Sequence, residues 1–246
     1  MSKRTLILAL AALGATVWLA TGCGGDDAEA PATTGSTAAT VTPKATTAGD
    51  PVVDGVRATS YAADLTDGRF LGKKDAPLTL EIYEDFQCPY CLRFTAQVEP
   101  FLFEEYVKTG KVRVEFRHFV IIPPESQKAA LGAQCAAAQD RFWEYHRALF
   151  LVQAEAGQHK SEKVNVGRFA DAELERLAGG IGLDVAAWKT CFQAQATADA
   201  VAADVRAGRS AGITGTPSFV LNGSAVARVP SDQAGWRQLL DAALKK

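Results

Sequence analysis

The sequence predicts an α/β fold: a strand–helix–strand unit, a long helical block, then a hairpin and a last helix. Three patterns carry that expectation. A β-rich run is followed by apolar residues at helical spacing and then by an alternating run. The stretch from 124 to 207 is helical in pattern and carries no strand signal. Near the C-terminus an Asn-Gly pair separates two short apolar runs, the strongest short-range hairpin signal.

The first strand is Leu78-Thr79-Leu80-Glu81-Ile82-Tyr83, which follows the break Asp75-Ala76-Pro77. Phe94, Val98, Phe101, Leu102 and Tyr106 then recur at helical spacing and stop at Gly110. Residues 112–119 alternate as a second strand. In the helical block, 129–138 is rich in alanine, and Phe142, Tyr145, Leu149 and Phe150 make the next apolar face. Leu174 and Leu177 precede a stop at Gly179-Gly180, and 183–193 and 197–205 complete the block. Strand character returns at 218–221 and, across Asn222-Gly223, at 225–227. The last helix, 232–244, aligns Trp236, Leu239, Leu240 and Leu244.

The N-terminus sets the compartment. Lys3 and Arg4 precede an apolar run from 6 to 20, shorter than the about 20 residues of a membrane span, so 1–22 is expected to be a signal peptide. Its exit, Leu19-Ala20-Thr21-Gly22-Cys23, resembles a bacterial lipobox, which implies that Cys23 is lipidated. Residues 23–61, rich in Ala, Thr, Gly and Pro over most of their length, are expected to form a disordered tether reaching roughly 35 Å. The remaining domain is expected in three parts, 62–123, 124–207 and 208–246, the middle one inserted. A net charge of −2 offers no basic stripe and excludes nucleic acid as a partner.

There are five cysteines. With Cys23 lipidated, four remain, an even number in an oxidising compartment. Cys88 and Cys91 form a C-x-x-C unit. Cys135 and Cys191 are left to pair as a structural disulfide worth about 3–4 kcal/mol, against the alternative of two buried free thiols. Two intervening residues put Cys88 and Cys91 on the first turn of a helix, where free N–H groups and the macrodipole favour a thiolate. Pro89 suits the first helical position because it has no N–H to leave unpaired. Cys88 is therefore expected to be the exposed, reactive thiol and Cys91 the buried, resolving one.

Three segments together resemble the DsbA-like branch of the thioredoxin superfamily. They are Glu84-Asp85-Phe86-Gln87-Cys88-Pro89-Tyr90-Cys91, Phe142-Trp143-Glu144-Tyr145-His146 and Gly215-Thr216-Pro217-Ser218-Phe219. The resemblance implies a thioredoxin fold with an inserted helical subdomain, no cofactor, and a cis Thr216–Pro217 bond facing the cysteines. Cys88 and Cys91 would be catalytic, with Pro89, Tyr90, Thr216 and Pro217 in support. One departure stands out. Such proteins often carry a buried acid six residues before the first cysteine, and here that residue is Ile82. Glu81 points to the other face by strand alternation, which leaves Glu84, Asp85 or water for proton transfer.

His118, His146 and His159 show no paired spacing for a metal site, and Leu92 after Cys91 excludes the C-x-x-C-H of covalent haem. Packing or surface roles are expected for the histidines, and core roles for Trp143 and Tyr145. Three functions stay open. The first is an extracytoplasmic, membrane-anchored, monomeric oxidase acting on exported proteins and recycled by a membrane redox partner. The others are a reductase or isomerase with the same site, and a non-catalytic lipoprotein binding domain. For the oxidase, the resemblance implies a potential nearer that of DsbA than of thioredoxin.

Overall fold

The computed structural model describes residues 49–245. The expected signal peptide, Cys23 and the tether as far as residue 48 lie outside the described residues. The described chain begins with a helix, α1 (Pro51–Ala58), in place of the last part of the expected tether. Asp50 caps it by accepting from the Val52 N–H at 2.9 Å, and Val52 and Val56 are buried. Composition misleads here because a single amphipathic turn pair, capped and packed, escapes an average taken over 23–61. The packed domain therefore starts near residue 50, not 62.

A 3₁₀ turn (Ala63–Leu65) leads to two short strands, β1 (Thr66–Asp67) and β2 (Phe70–Leu71), which sequence patterning does not reveal. Two residues per strand leave no period to detect. β3 (Leu78–Glu84) and β4 (Val112–His118) are the long strands, parallel and in register from Leu78 opposite Val112 to Glu84 opposite His118. Residue 119, expected in the second strand, lies just beyond it. Five helices occupy 125–210. After them β5 (Ser218–Leu221) runs antiparallel to β3, and β6 (Ser224–Ala225) closes the hairpin. The sheet order is β1-β2-β4-β3-β5-β6, so β3 sits next to the centre. Asn222 and Gly223 both take positive φ, 46° and 76°, as a tight two-residue turn requires.

Apolar spacing predicts one continuous helix in the crossover from β3 to β4. The helix is instead broken: α2 (Pro89–Gln97), α3 (Glu99–Leu102) and a π-helical turn (Phe103–Val107) follow one another. Pro100 is the cause, since it has no N–H to donate to the carbonyl of Ala96. That carbonyl lies under α1, where a Cβ on Gly55 would sit 2.3 Å from the Ala96 oxygen. The N-terminal arm thus packs against the break in the helix that carries the cysteines.

The inserted block is α4 (Glu125–Ala137), α5 (Phe142–Glu155), α6 (Asp171–Gly180), α7 (Val185–Phe192) and α8 (Gln195–Ser210). It runs three residues past the expected boundary at 207, and Gly208 lets α8 pass close to Phe119, where a Cβ would lie 2.7 Å from the ring. A disulfide joins Cys135 of α4 to Cys191 of α7, Cα to Cα 5.7 Å, across 56 residues. The last helix, α9 (Gln233–Ala243), is capped by Asp232 and buries Trp236 against Phe94 and Phe219. No helix of the described residues is long and apolar enough to cross a membrane.

Gly55→Leu tests the packing of the arm. It should cost about 1–3 kcal/mol by overpacking, lower the melting temperature and speed hydrogen exchange across 51–58. An unchanged melting curve would contradict a packed arm.

Candidate active site

β3 ends at Glu84, and a short turn returns the chain into α2 with Cys88 as its N-cap and Pro89 at the first helical position. The turn is held by one carboxylate. Asp85 accepts from the N–H groups of Gln87 (2.8 Å), Ile121 (2.8 Å) and Ile122 (3.0 Å) and from the Ser126 hydroxyl. Gln87 then reaches outward, donating to the Ile122 carbonyl at 2.8 Å and to Ser126 Oγ at 3.0 Å. The residues before Cys88 are therefore fixed to the loop after β4 and to the start of α4.

Cys88 and Cys91 are both thiols in this state. Cys91 has no exposed surface and Cys88 retains only 4%, less than the exposed thiol the sequence suggests. The cover comes from far along the chain: Cys88 Sγ donates to the Thr216 carbonyl at 3.3 Å. Thr216 precedes Pro217 through a cis bond, and the pair faces the start of α2. Tyr90, 63% exposed, borders the same groove of about 430 Å³, with Phe94, Pro217 and Val229.

The electrostatics separate the two thiols. Hydrogen bonding from the Cys91 thiol brings Cys88 down to about 7, against the opposing effect of burial and with help from Thr216 and the Cys91 and Tyr90 N–H groups. The Thr216 hydroxyl has no other partner among the described residues, so it is free to donate to a Cys88 thiolate. Burial drives Cys91 the other way, well above an ordinary thiol, and the hydrogen bond to Cys88 and the charge of Glu84 add to it.

Beneath the cysteines lie two carboxyls that residue spacing alone does not bring together. Glu84 shares its strand face with Ile82, two residues along, and is buried. Burial raises it well above the carboxylate range, and neighbouring charge on Glu99 and Cys88 raises it further. One of its oxygens has no partner among the described residues. The other lies 3.3 Å from His146 Nε2. Burial pushes His146 down to about 3, so the imidazole is neutral and this contact is no ion pair. Glu99 of α3 is raised to about 7 by burial, and Tyr61 of the N-terminal arm donates to it. Residue 61, expected at the end of the tether, is thus a phenol bonded inside the domain.

His118 is buried among Phe86, Phe116 and Phe142, while His159 meets Asp50 at 2.9 Å. Trp143 and Tyr145 are core residues whose polar ends donate to the carbonyls of Phe70 and Leu174. Among the described residues no group of three or more His, Cys, Asp or Glu is arranged to hold a metal.

Known proteins are similar to this chain to different extents. A family model described as Thioredoxin matches residues 64–242. An Na(+)/H(+) antiporter NhaA 3 of Salinispora tropica is 34% identical over 154 residues, 62% of this chain but 21% of the antiporter. The chain thus spans about a fifth of that relative's length. A probable disulfide bond formation protein D of Bacillus cereus is 27% identical over 178 residues, 72% of this chain and 78% of that protein. The crystal structure of oxidised BdbD from Bacillus subtilis superposes with a TM-score of 0.63 at 22% identity, covering 76% of this chain and 96% of that one, which shows a shared fold.

Two titrations probe the site. The thiolate absorbance of the reduced protein should rise with a midpoint near pH 7 and vanish in Cys88→Ser. Thr216→Val should move that midpoint up, and a midpoint unmoved would remove the hydroxyl from the account. Glu99 is raised from 4.5 to about 7 in the folded state, so its neutral form favours folding below pH 4.5, and that contribution is lost as pH climbs through 7. Glu99→Gln, which cannot ionise, should therefore be more stable than the parent by about 3 kcal/mol above pH 7 and equal to it at pH 4. A difference that persists at pH 4 would contradict the assignment.

Proposed function

This chain belongs to the thioredoxin family, and on that premise we propose that it is a thiol-disulfide oxidoreductase that forms disulfide bonds in exported proteins. The observation that carries the reading is the inequality of the two thiols at the start of α2, Cys88 held toward thiolate and Cys91 buried and held as thiol. In the oxidised protein, a substrate thiolate attacks Cys88 Sγ of the Cys88–Cys91 disulfide. The mixed disulfide forms and Cys91 leaves with the electron pair. A second substrate thiolate then attacks the substrate sulfur, closing the substrate disulfide and releasing Cys88 as a thiolate. Two electrons have passed to the cysteine pair.

The leaving Cys91 sulfur needs a proton where water does not reach. Neutral Glu84 beside it is the donor in this reading, standing in for the acid missing at Ile82. The Thr216 main chain beside Pro217 offers an edge along which a substrate segment can lie, and Tyr90 borders it. Pro89 contributes its fixed φ to the first turn.

The reading extends to place and partners. Residues 1–22 serve as a signal peptide and Cys23 as a lipid anchor, so that the domain works outside the cytoplasm on a tether that ends near residue 49. A membrane redox partner reoxidises the dithiol, and the protein acts as a monomer without cofactor. The Cys135–Cys191 disulfide closes a 56-residue loop and contributes about 4 kcal/mol in the chain-entropy model. The second reading is a reductase, which the Cys88 value of about 7 favours because thioredoxin has the same value and DsbA a far lower one.

Equilibration of the soluble domain in glutathione buffers decides between them. Stabilising the thiolate stabilises the reduced form, and a value of about 7 moves the expected potential from near that of DsbA to between about −270 mV for thioredoxin and −120 mV for DsbA. A potential at or below that of thioredoxin would leave the reductase. Exchange activity retained in Cys88→Ser would overturn the site itself.

A further inference from the structure

Two side-chain amides stand behind the dithiol turn, and one guanidinium stands behind both. Helix α5 ends through Gly157, which lies in the left-handed region at φ 72°. The Gly157 N–H donates to the Ala154 carbonyl at 2.9 Å, and the Gln158 N–H donates to the Gln153 carbonyl at 3.0 Å. These are the paired bonds that close a helix at such a glycine. The closure brings together Gln153, in the last turn of the helix, and Gln158, just past it. Both are buried, at 1% exposure. Gln153 Nε2 donates to the Phe86 carbonyl at 3.2 Å, and Gln158 Nε2 donates to the Gln87 carbonyl at 2.9 Å.

Those carbonyls belong to the two peptide groups that lead into Cys88. At their other ends, the Gln87 N–H donates to the Asp85 carboxylate at 2.8 Å and the Cys88 N–H to the Asp85 carbonyl at 3.0 Å. Each peptide plane is therefore bonded on both sides, and hydrogen bonds in such chains strengthen one another. The Gln87 side chain is fastened separately, accepting from the Asn165 N–H at 2.7 Å and donating to Asn165 Oδ1 at 3.1 Å.

The glutamine clamp works in one orientation only. Turned over, each amide would set its oxygen against a carbonyl oxygen, acceptor against acceptor. Arg168, in the loop between α5 and α6, opposes that rotation. Its Nη1 donates to Gln153 Oε1 at 2.7 Å and to Gln158 Oε1 at 2.6 Å. A guanidinium only donates, so both amide oxygens must face it and both NH2 groups must face the turn. Gln158 Oε1 has a second hold from the Lys163 N–H at 3.0 Å, whereas the hold on Gln153 Oε1 is Arg168. Nη1 also reaches the Lys163 carbonyl at 3.2 Å. All three of its partners are neutral oxygens, which leave the positive charge uncompensated.

We propose that Arg168 is a positioning residue for Cys88: by fixing the amides of Gln153 and Gln158, it holds the two peptide groups ahead of the thiol in the planes that aim Cys88 Sγ at the Thr216 carbonyl. The inserted helical block thereby acts on the reacting sulfur without touching it. The electrical effect runs the same way as the geometric one. The cation, and the N–H groups it orients, turn positive ends toward the dithiol turn and so favour a thiolate at Cys88. This inference deepens the exchange reading above and rests on it.

The test reads the thiolate midpoint of Cys88 by absorbance in the reduced protein, with no substrate present. Arg168→Met keeps the length and removes charge and donors. Its midpoint should rise by roughly half a unit, an about threefold fall in the ionisation constant. Arg168→Lys should lie closer to the parent, because one nitrogen makes all three bonds and an ammonium also has three donors. Gln153→Leu should raise the midpoint too, and combining it with Arg168→Met should raise it no further than the larger single change. Equilibria in glutathione buffers should move in step, toward the disulfide. A midpoint unmoved in Arg168→Met, or an equal shift in Arg168→Lys, would overturn the proposal even if the melting temperature fell, since a loop staple alone would lower stability. Additive shifts in the double variant would overturn the route through Gln153. Were the midpoints to move as expected in a protein that exchanged with neither glutathione disulfide nor a dithiol peptide, the exchange reading would fall and the positioning of Cys88 would stand.

Discussion

The carboxylate of Asp85 is the constraint on which the site depends. It stands where β3 and β4 end side by side, and it takes four hydrogen bonds from three segments that are distant in sequence: the dithiol turn, the loop after β4 and the first turn of α4. A buried acceptor with every lone pair engaged fixes its donors in place, and losing it would strand several buried N–H groups at once. The inserted helical block is thereby joined to the sheet at the point where Cys88 emerges. Gln87 extends the same fastening to the loop at Asn165. Geometry at the thiol is thus set by hydrogen bonds made one and three residues before it.

From that point the chemistry divides by depth. Cys88 sits at the mouth, among donors that favour its thiolate, and Cys91 sits beneath it where burial favours the thiol. Glu84 and Glu99 lie below, and two buried carboxyls near each other cannot both carry charge without cost. Burial therefore favours the protonated form of both carboxyls. Tyr61 donates to Glu99 from the N-terminal arm, so the segment nearest the proposed tether takes part in holding that interior together.

The long elements are legible in the sequence because their signals are long. Seven residues of β character in each main strand, helical spacing over the inserted block and the Asn222-Gly223 turn survive reading without any tertiary information. The two cysteines, Pro89, and the Thr216–Pro217 step are legible through motif and resemblance. The features that stay hidden depend on contacts between distant residues. Helix α1 is eight residues long at the end of a low-complexity stretch, and its stability comes from Gly55 nestling over the break made by Pro100. The break itself is visible as a proline, yet apolar spacing outweighs it. Glu84 is one of three options for the missing acid, and strand alternation from Ile82 singles it out. Glu99 and Tyr61 carry no such sign, because only the fold brings them to Glu84.

The most direct test of the unequal pair is to trap the reaction halfway. A reduced Cys91→Ala protein, activated as a mixed disulfide at Cys88 and offered an unfolded polypeptide with a single free cysteine, has neither Cys91 nor a second substrate thiol to resolve its intermediate. The account predicts a protein–substrate disulfide mapped to Cys88 alone, while the corresponding Cys88→Ala protein traps little because its remaining sulfur is buried. Equal trapping by the two variants, or a substrate bond mapped to Cys91, would contradict it.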